Sequence, residues 1–270
     1  MSGLPRFFPL HCSLEWFCLA PGLGWRIFEG PIYALQMSSS GILKSSIAKK
    51  YAMALTGLFL CLFLVGHLLG NLQLFIPGEE GQTAFNEYAL FMTTFPAVKV
   101  LSYLTYASVL FHLVDGVVLT MQNRKARPVR YAVEKGSANS GWSSRNMAVL
   151  GTIVLVFIVT HMQNFWWKMH FSEMPTQVVD GVALKDLHTV VLNYFNPTVN
   201  SMAAAAVALY VLGMAALGFH LWHGFASGFQ SLGVRHETYT RWIEMVGKAF
   251  AVVVPLAFAS IPLYLFMTQG

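Results

Sequence analysis

Phe219-His220-Leu221-Trp222-His223-Gly224 lies deep in a long uncharged run, and Phe111-His112-Leu113-Val114-Asp115-Gly116 repeats its pattern earlier in the chain. Each copy places a histidine inside an apolar segment, with a glycine one helical turn further on. Two other apolar segments carry one interior histidine each: His67 in Val65-Gly66-His67-Leu68-Leu69-Gly70, and His161 in Val159-Thr160-His161-Met162. Ionisable side chains are costly in a bilayer, so four of them, one per segment, call for a shared purpose.

The composition supports the membrane setting. Of 270 residues, 56% are hydrophobic and 11% charged, far from the balance of a soluble globular domain. The net charge of +5 sits in two loops and before the first apolar run, so it implies no nucleic acid. Cys12, Cys18 and Cys61 form neither a disulfide framework nor a zinc spacing. No Cys-x-x-Cys-His occurs, so any haem would be b-type, held without thioether bonds.

Read in order, residues 1–44 form an N-terminal extension without the layout of a signal peptide. Met37-Ser38-Ser39-Ser40 reads as an alternative start. Residues 45–270 form one all-α membrane domain of five spans, at about 51–74, 97–122, 147–168, 201–229 and 247–268. Each is near the ~20 residues that cross ~30 Å of hydrocarbon. Asn193, Asn196, Pro197 and Asn200 break the start of the long run before the fourth span. Pro255 and Pro262 are tolerated as kinks in the fifth.

Loop charge sets the orientation. Arg124, Lys125, Arg127, Arg130, Lys135 and Arg145 follow span two, and Arg235, Arg241 and Lys248 follow span four. Glu79, Glu80, Glu87, Glu173, Asp180 and Asp186 follow spans one and three. The N-terminus is therefore expected in the cytoplasm and the C-terminus outside, with Trp142 at one interface and Trp166 and Trp167 at the other.

All four histidines fall late in their spans, roughly 21–29 Å from the helix starts. His67 and His161 lie on outward-running helices and His112 and His220 on inward-running ones. That predicts two pairs at two depths, separated by roughly 15 Å in a ~30 Å core. A haem iron with an imidazole on each face has no open position and passes one electron at a time. Gly66, Gly70, Gly116 and Gly224 are expected to leave room for a flat macrocycle, although small residues also favour close helix packing. The spans read as two parallel hairpins forming a four-helix bundle that holds two haems, with the fifth span outside.

His223 competes with His220 as a ligand, and the repeat favours His220 because it aligns with His112. Asp115 and His223 occupy matching places, and either meet as a buried pair or face separate partners. His11, His170, His188 and His236 are expected in solvated terminal or loop segments.

At these residues the chain resembles the five-helix, dihaem cytochrome b subunit of succinate dehydrogenases and fumarate reductases. The resemblance spans roughly residues 42–268. It rests on His-Leu-Leu-Gly-Asn-Leu-Gln at 67–73, the two Phe-His-Leu-x-x-Gly copies, Asn-Arg-Lys-Ala-Arg-Pro at 123–128, and Gln230-Ser231-Leu232-Gly233. It implies that His112 and His220 ligate an inner haem b and His67 and His161 an outer one, with Gly70, Gly116 and Gly224 beside them. It also implies a flavoprotein subunit carrying FAD and an iron–sulfur subunit docked on the cytoplasmic side of a bacterial cell membrane. Electrons would run between these and a membrane quinone, commonly menaquinone.

The same resemblance puts the quinone near the outer haem, with an acid of the first external loop carrying protons. Glu87 is the favoured acid, with Asn71, Gln73 and Gln163 as polar neighbours. It lies in Ala84–Phe95, whose helical spacing suits the interface. Some family members have a glutamate where this chain has Gly218. No dinucleotide fingerprint or iron–sulfur cysteine cluster occurs, so succinate chemistry would lie in other subunits. Two alternatives stay open: the cytochrome b of a hydrogenase or formate dehydrogenase, and a histidine-lined transporter. The transporter fits less well, since only Asp115 would add an acid at depth.

Overall fold

The computed structural model describes residues 45–126 and 136–269. The N-terminal extension, Arg127, Arg130, Glu134 and Lys135 lie outside the described residues.

Helix α1 (Ser46–Asn71) starts at Ser45, whose hydroxyl accepts the Ala48 N–H at 3.2 Å, one of the donors left free at a helix start. It ends in a 3-10 turn, Leu72–Phe75. The amphipathic α2 (Gly78–Thr94) follows, with Glu79 and Glu80 in its first turn, where negative charge suits the helix dipole. Pro96, which has no N–H to lose, opens α3 (Pro96–Lys125). Two single turns, Gly136–Asn139 and Trp142–Arg145, lead into α4 (Met147–His161). This helix continues through a π-helical turn, Met162–Trp166, to Phe171.

A hairpin of β1 (Thr176–Val179) and β2 (Val182–Lys185) comes next, turning through Asp180 and Gly181, both at positive φ. Then come α5 (Leu187–Phe195), α6 (Ala203–Ser231) and α7 (Thr240–Gln269).

Five of these helices are long and apolar enough to cross a membrane: Ser46–Phe75, Pro96–Lys125, Met147–Phe171, Ala203–Ser231 and Thr240–Gln269. They match the five expected spans and run a few residues longer at most ends. The fold is mostly helical, and the small hairpin is its one departure from an all-α chain among the described residues. Asn196 and Asn200 make the break before α6: Asn196 accepts from Thr198, and Asn200 donates to the Tyr194 carbonyl at 2.7 Å.

Helix α1 packs against α3 and α6, α4 packs against α6, and α3 meets α4 only lightly. The first four long helices thus form a square with α1 facing α4 and α3 facing α6 across its diagonals. Helix α7 lies along α6 and also touches α1 and α5. Pro255 leaves the Ala251 carbonyl without its helical donor. A Cβ added at Gly218 would come 3.1 Å from that oxygen, so α6 and α7 approach closely there.

The helices α2 and α5 and the hairpin gather at one end of the square, hereafter the capped end, over an apolar cluster that includes Leu74, Phe85, Phe195 and Leu265. Asn86, 1% exposed, ties these pieces together. Its amide donates to Gln177 Oε1 at 2.8 Å and to Asp186 Oδ1 at 2.9 Å, and its oxygen accepts the His188 N–H at 3.0 Å. Asp186 also accepts from Gln82 at 2.7 Å and caps α5 by accepting the Thr189 N–H at 3.0 Å. Buried polar groups need such partners, and this knot supplies them from three elements.

His188 is part of the knot rather than solvated. It is 5% exposed, with its ring against Phe85. The expectation failed because His188 lies in the first turn of an amphipathic helix, on the face turned toward α2. His170 and His236 are exposed as expected, stacked on Trp166 and Tyr239.

Candidate functional site: two imidazole pairs

The square brings the four histidines together in twos across its diagonals. The rings of His67 (α1) and His161 (α4) lie with centres 5.8 Å apart and planes at 83°. Those of His112 (α3) and His220 (α6) lie 6.0 Å apart at 67°. An imidazole nitrogen binds a first-row metal at about 2 Å, so two rings on one ion have centres about 6.3 Å apart. Both pairs fall within about half an ångström of that separation.

The spacing between levels follows from the helix rise. A Cβ at Gly57 would come 3.1 Å from the His112 ring, so His112 stands level with residue 57 of α1. Gly151 faces the His220 ring at 3.8 Å in the same way. His67 and His161 lie ten residues further along their helices, which puts the levels about 15 Å apart.

In three of the four rings Nδ1 already meets a polar atom. His112 Nδ1 stands 3.3 Å from Thr56 Oγ1, and His161 Nδ1 stands 3.2 Å from the Tyr210 hydroxyl. His67 Nδ1 lies 3.5 Å from the Asn71 amide nitrogen. His220 Nδ1 is buried without a partner. An oxygen that accepts from Nδ1–H leaves Nε2 for a metal. The Thr56 and Tyr210 hydroxyls can do this for His112 and His161, whereas the Asn71 amide nitrogen beside His67 can only donate. Among the described residues no three or more His, Cys, Asp or Glu side chains converge on one point. Each level therefore offers two imidazoles and no further side chain of these kinds.

The two levels differ in their walls. At the capped level Phe63 stacks on His67 with centres 5.3 Å apart, and Phe157 stacks on His161 at 5.6 Å. Phe258, Phe165 and Tyr210 complete an aromatic box. At the opposite level Gly57 and Gly151 stand against the His112 and His220 rings.

The expected glycines fare unequally. Nothing stands within 4 Å of a Cβ at Gly66 or Gly224, so space is open beside both. Gly116 meets the Met53 methyl at 3.7 Å. The space expected at Gly70 is filled by the Tyr88 ring, which closes on it too tightly for any Cβ, while the Tyr88 hydroxyl donates to the Gly66 carbonyl at 3.3 Å. Gly70 therefore seats α2 on α1.

Glu87 is exposed, one residue from the buried Asn86 and on a different face of α2. Gln163 is also exposed, and Gln73 Oε1 is buried with no partner. His223 is half-buried, joins neither pair, and makes no hydrogen bond or ion pair with Asp115.

Sequence reading missed Gly57, Gly151, Phe63, Phe157, Thr56 and Tyr210. A signal for four of them was present. Aligning Gly57–His67 with Gly151–His161 matches glycine to glycine, Phe63 to Phe157, and Val65 to Val159. The repeat therefore covers both helices of each hairpin.

No known protein family, curated protein or solved structure matches the chain.

Proposed function

We propose that this chain is the membrane-anchoring dihaem cytochrome b subunit of a succinate dehydrogenase or fumarate reductase. It carries electrons between a cytoplasmic iron–sulfur subunit, itself served by an FAD-containing flavoprotein, and a membrane quinone of the menaquinone kind. The single observation that supports this most is the pair of imidazole couples, each at the separation of two axial ligands on one metal. Haem iron held in that way supplies reversible one-electron transfer with no vacant position.

In this reading His67 and His161 hold one haem b at the capped level, and His112 and His220 hold the other. The capped end is the external face of a bacterial cell membrane, and the basic loop after α3 is cytoplasmic. Aromatic rings pack on the capped pair, while Gly57 and Gly151 let the His112 and His220 rings lie close to α1 and α4. Glu87, exposed toward external water, exchanges protons with quinone at that face.

A visible spectrum of the purified, dithionite-reduced protein, with pyridine haemochrome quantification, tests the reading. Two b haems per chain are expected, and a haem-free, folded protein ends it. Copurification with a flavoprotein supports the succinate/fumarate assignment, whereas a metal hydrogenase or formate dehydrogenase partner replaces it. Glu87→Gln is expected to slow quinone-linked turnover with both haems kept; unchanged turnover removes Glu87 from the site.

A further inference from the structure

The repeat that relates the two hairpins breaks where it reaches the second nitrogens of the imidazoles. With His67 set on His161, Thr56 falls on Leu150; with His112 set on His220, Ser102 falls on Tyr210. The Thr56 hydroxyl donates to the Ala52 carbonyl at 2.7 Å, so its oxygen lone pairs remain for His112 Nδ1 at 3.3 Å. The matching Leu150 is 4% exposed and has no polar atom to offer, and His220 Nδ1 is the ring nitrogen left buried and unpaired. At the capped level Tyr210, 7% exposed, reaches His161 Nδ1. Ser102, at the matching place, bonds back to its own helix at the Val98 carbonyl. His67 meets only the amide nitrogen of Asn71, a donor already committed to the His67 carbonyl at 2.8 Å.

We infer that Thr56 and Tyr210 are positioning residues for the axial imidazoles, and that each level pairs one hydrogen-bonded histidine with one left without an acceptor. The inference rests on the two-haem reading. With Nε2 on iron, the neutral imidazole carries its proton on Nδ1. An oxygen accepting from that N–H fixes the ring's tautomer and orientation and makes it a stronger donor to the metal. A stronger donor favours the ferric state and lowers the reduction potential. His112 and His161 are thus the strong ligands, and His220 and His67 the weak ones. The two irons share a ligand set and are tuned separately, one through α1 and the other through α6.

Redox titration of the purified protein, with electron paramagnetic resonance of the ferric states, tests this. The two couples are assigned with His67→Ala and His112→Ala, each expected to keep one haem. Tyr210→Phe should move the capped-level couple to higher potential and leave the other in place. Thr56→Val should raise the opposite-level couple alone, and Thr56→Ser, which keeps the acceptor, should restore it. Leu150→Thr should offer His220 the missing acceptor and lower the opposite-level couple.

Two bound haems whose potentials and ferric spectra stay put in all these variants overturn the inference while leaving the two-haem reading intact. Wild-type protein without haem overturns the reading itself. Should Tyr210→Phe or Thr56→Val not accumulate, Leu150→Thr decides, because it adds an acceptor instead of removing one. A downward shift supports the inference, and an unmoved couple refutes it.

Discussion

The two imidazole levels grow from one repeat and end in opposite surroundings. Around His67 and His161 the walls are rings: Phe63, Phe157, Phe165, Phe258 and Tyr210. Above them α2, the hairpin and α5 are fastened by a buried polar knot centred on Asn86 and Asp186. Around His112 and His220 the nearest helix surfaces are glycines, and one Nδ1 has no partner. The repeat supplies the imidazole pairs, with Phe63 and Phe157 beside one of them, while Phe258 and the cap of α2, the hairpin and α5 lie outside the repeat. The two pairs therefore differ in the rings packed against them and in their hydrogen bonding, which in the proposed two-haem reading would give each its own potential.

The sharpest way to break this comparison is to remove its ligands one at a time. His67→Ala or His161→Ala should halve the haem content by emptying the capped level, and His112→Ala or His220→Ala should do so at the other. His223→Ala should keep both haems, because His223 joins neither pair. Haem quantification with the spectrum of the surviving centre checks the set. If His223→Ala lost a haem that His220→Ala kept, the second pair would be wrongly assigned.

The next effect tests the glycine walls. Gly57 already stands against the His112 ring, so Gly57→Val would drive a branched side chain into it and should abolish haem at that level alone. Gly151→Ala should be tolerated, since its Cβ would rest at an ordinary 3.8 Å from His220. Equal haem loss in both variants would mean that the levels are not walled as described.

The ligand level and the wall level were not equally legible in the sequence. The five spans and the two pairs could be read because bilayer length and the cost of a buried imidazole constrain them from sequence alone. Two histidines late on helices running one way and two late on helices running the other can only meet as two couples. The capped end was less legible. His188 and Asp186 look like loop residues until α2 closes over them, and Gly70 looks like cofactor space until Tyr88 fills it. Partners about a hundred residues apart, such as Asn86 and Asp186, leave no periodic trace. Thr56 and Tyr210 escaped for the opposite reason: they sit where the repeat fails, and a search for matching positions passes over mismatches.

A smaller effect concerns the polar knot. Asn86→Ala would take their partner from the His188 N–H and Gln177 Oε1 and one donor from Asp186, which keeps Gln82 and Thr189. A buried group left unpaired costs about 1–3 kcal/mol. Amide hydrogen exchange across Thr176–Phe195 should rise by roughly tenfold or more, each tenfold being about 1.4 kcal/mol, while α3 and the opposite level stay protected.

The knot is also sensitive to acid. Burial pushes the Asp186 carboxyl up, but hydrogen bonds from Thr189, Asn86 and Gln82 outweigh it and hold it below its ordinary 3.8. Its contribution is present above that value and is lost as pH falls through the lower folded one. Burial also holds His188 below its ordinary 6.5, with the nearby Asp186 charge opposing. The unfolded segment takes up a proton first, so the knot weakens as pH drops below 6.5. Exchange corrected for intrinsic rate should therefore be faster at about pH 5.5 than at about 7.5, and His188→Gln should flatten that slope. A slope unchanged by the substitution would assign the sensitivity elsewhere.

The smallest effect lies on the seam between α3 and α4, where the square is thinnest. Near the capped end that seam is held by the Trp166 Nε1–H donating to the Tyr106 hydroxyl at 2.8 Å, with the two rings edge to face. Trp166 closes the π-helical turn after His161. An extra residue in a turn rotates the remainder of the helix about its axis, and here the residue brought to the seam is the one that bonds α3. Tyr106→Phe keeps the ring contact and removes the acceptor, and hydrogen bonds between membrane helices average about 0.6 kcal/mol. Unfolding in mixed micelles should register a loss of that size, with both haems retained. Trp166→Phe should give a similar loss, and the double variant should add little to either. Full additivity would show that the two residues act apart, leaving the seam to lipid and the π-helical turn without this role.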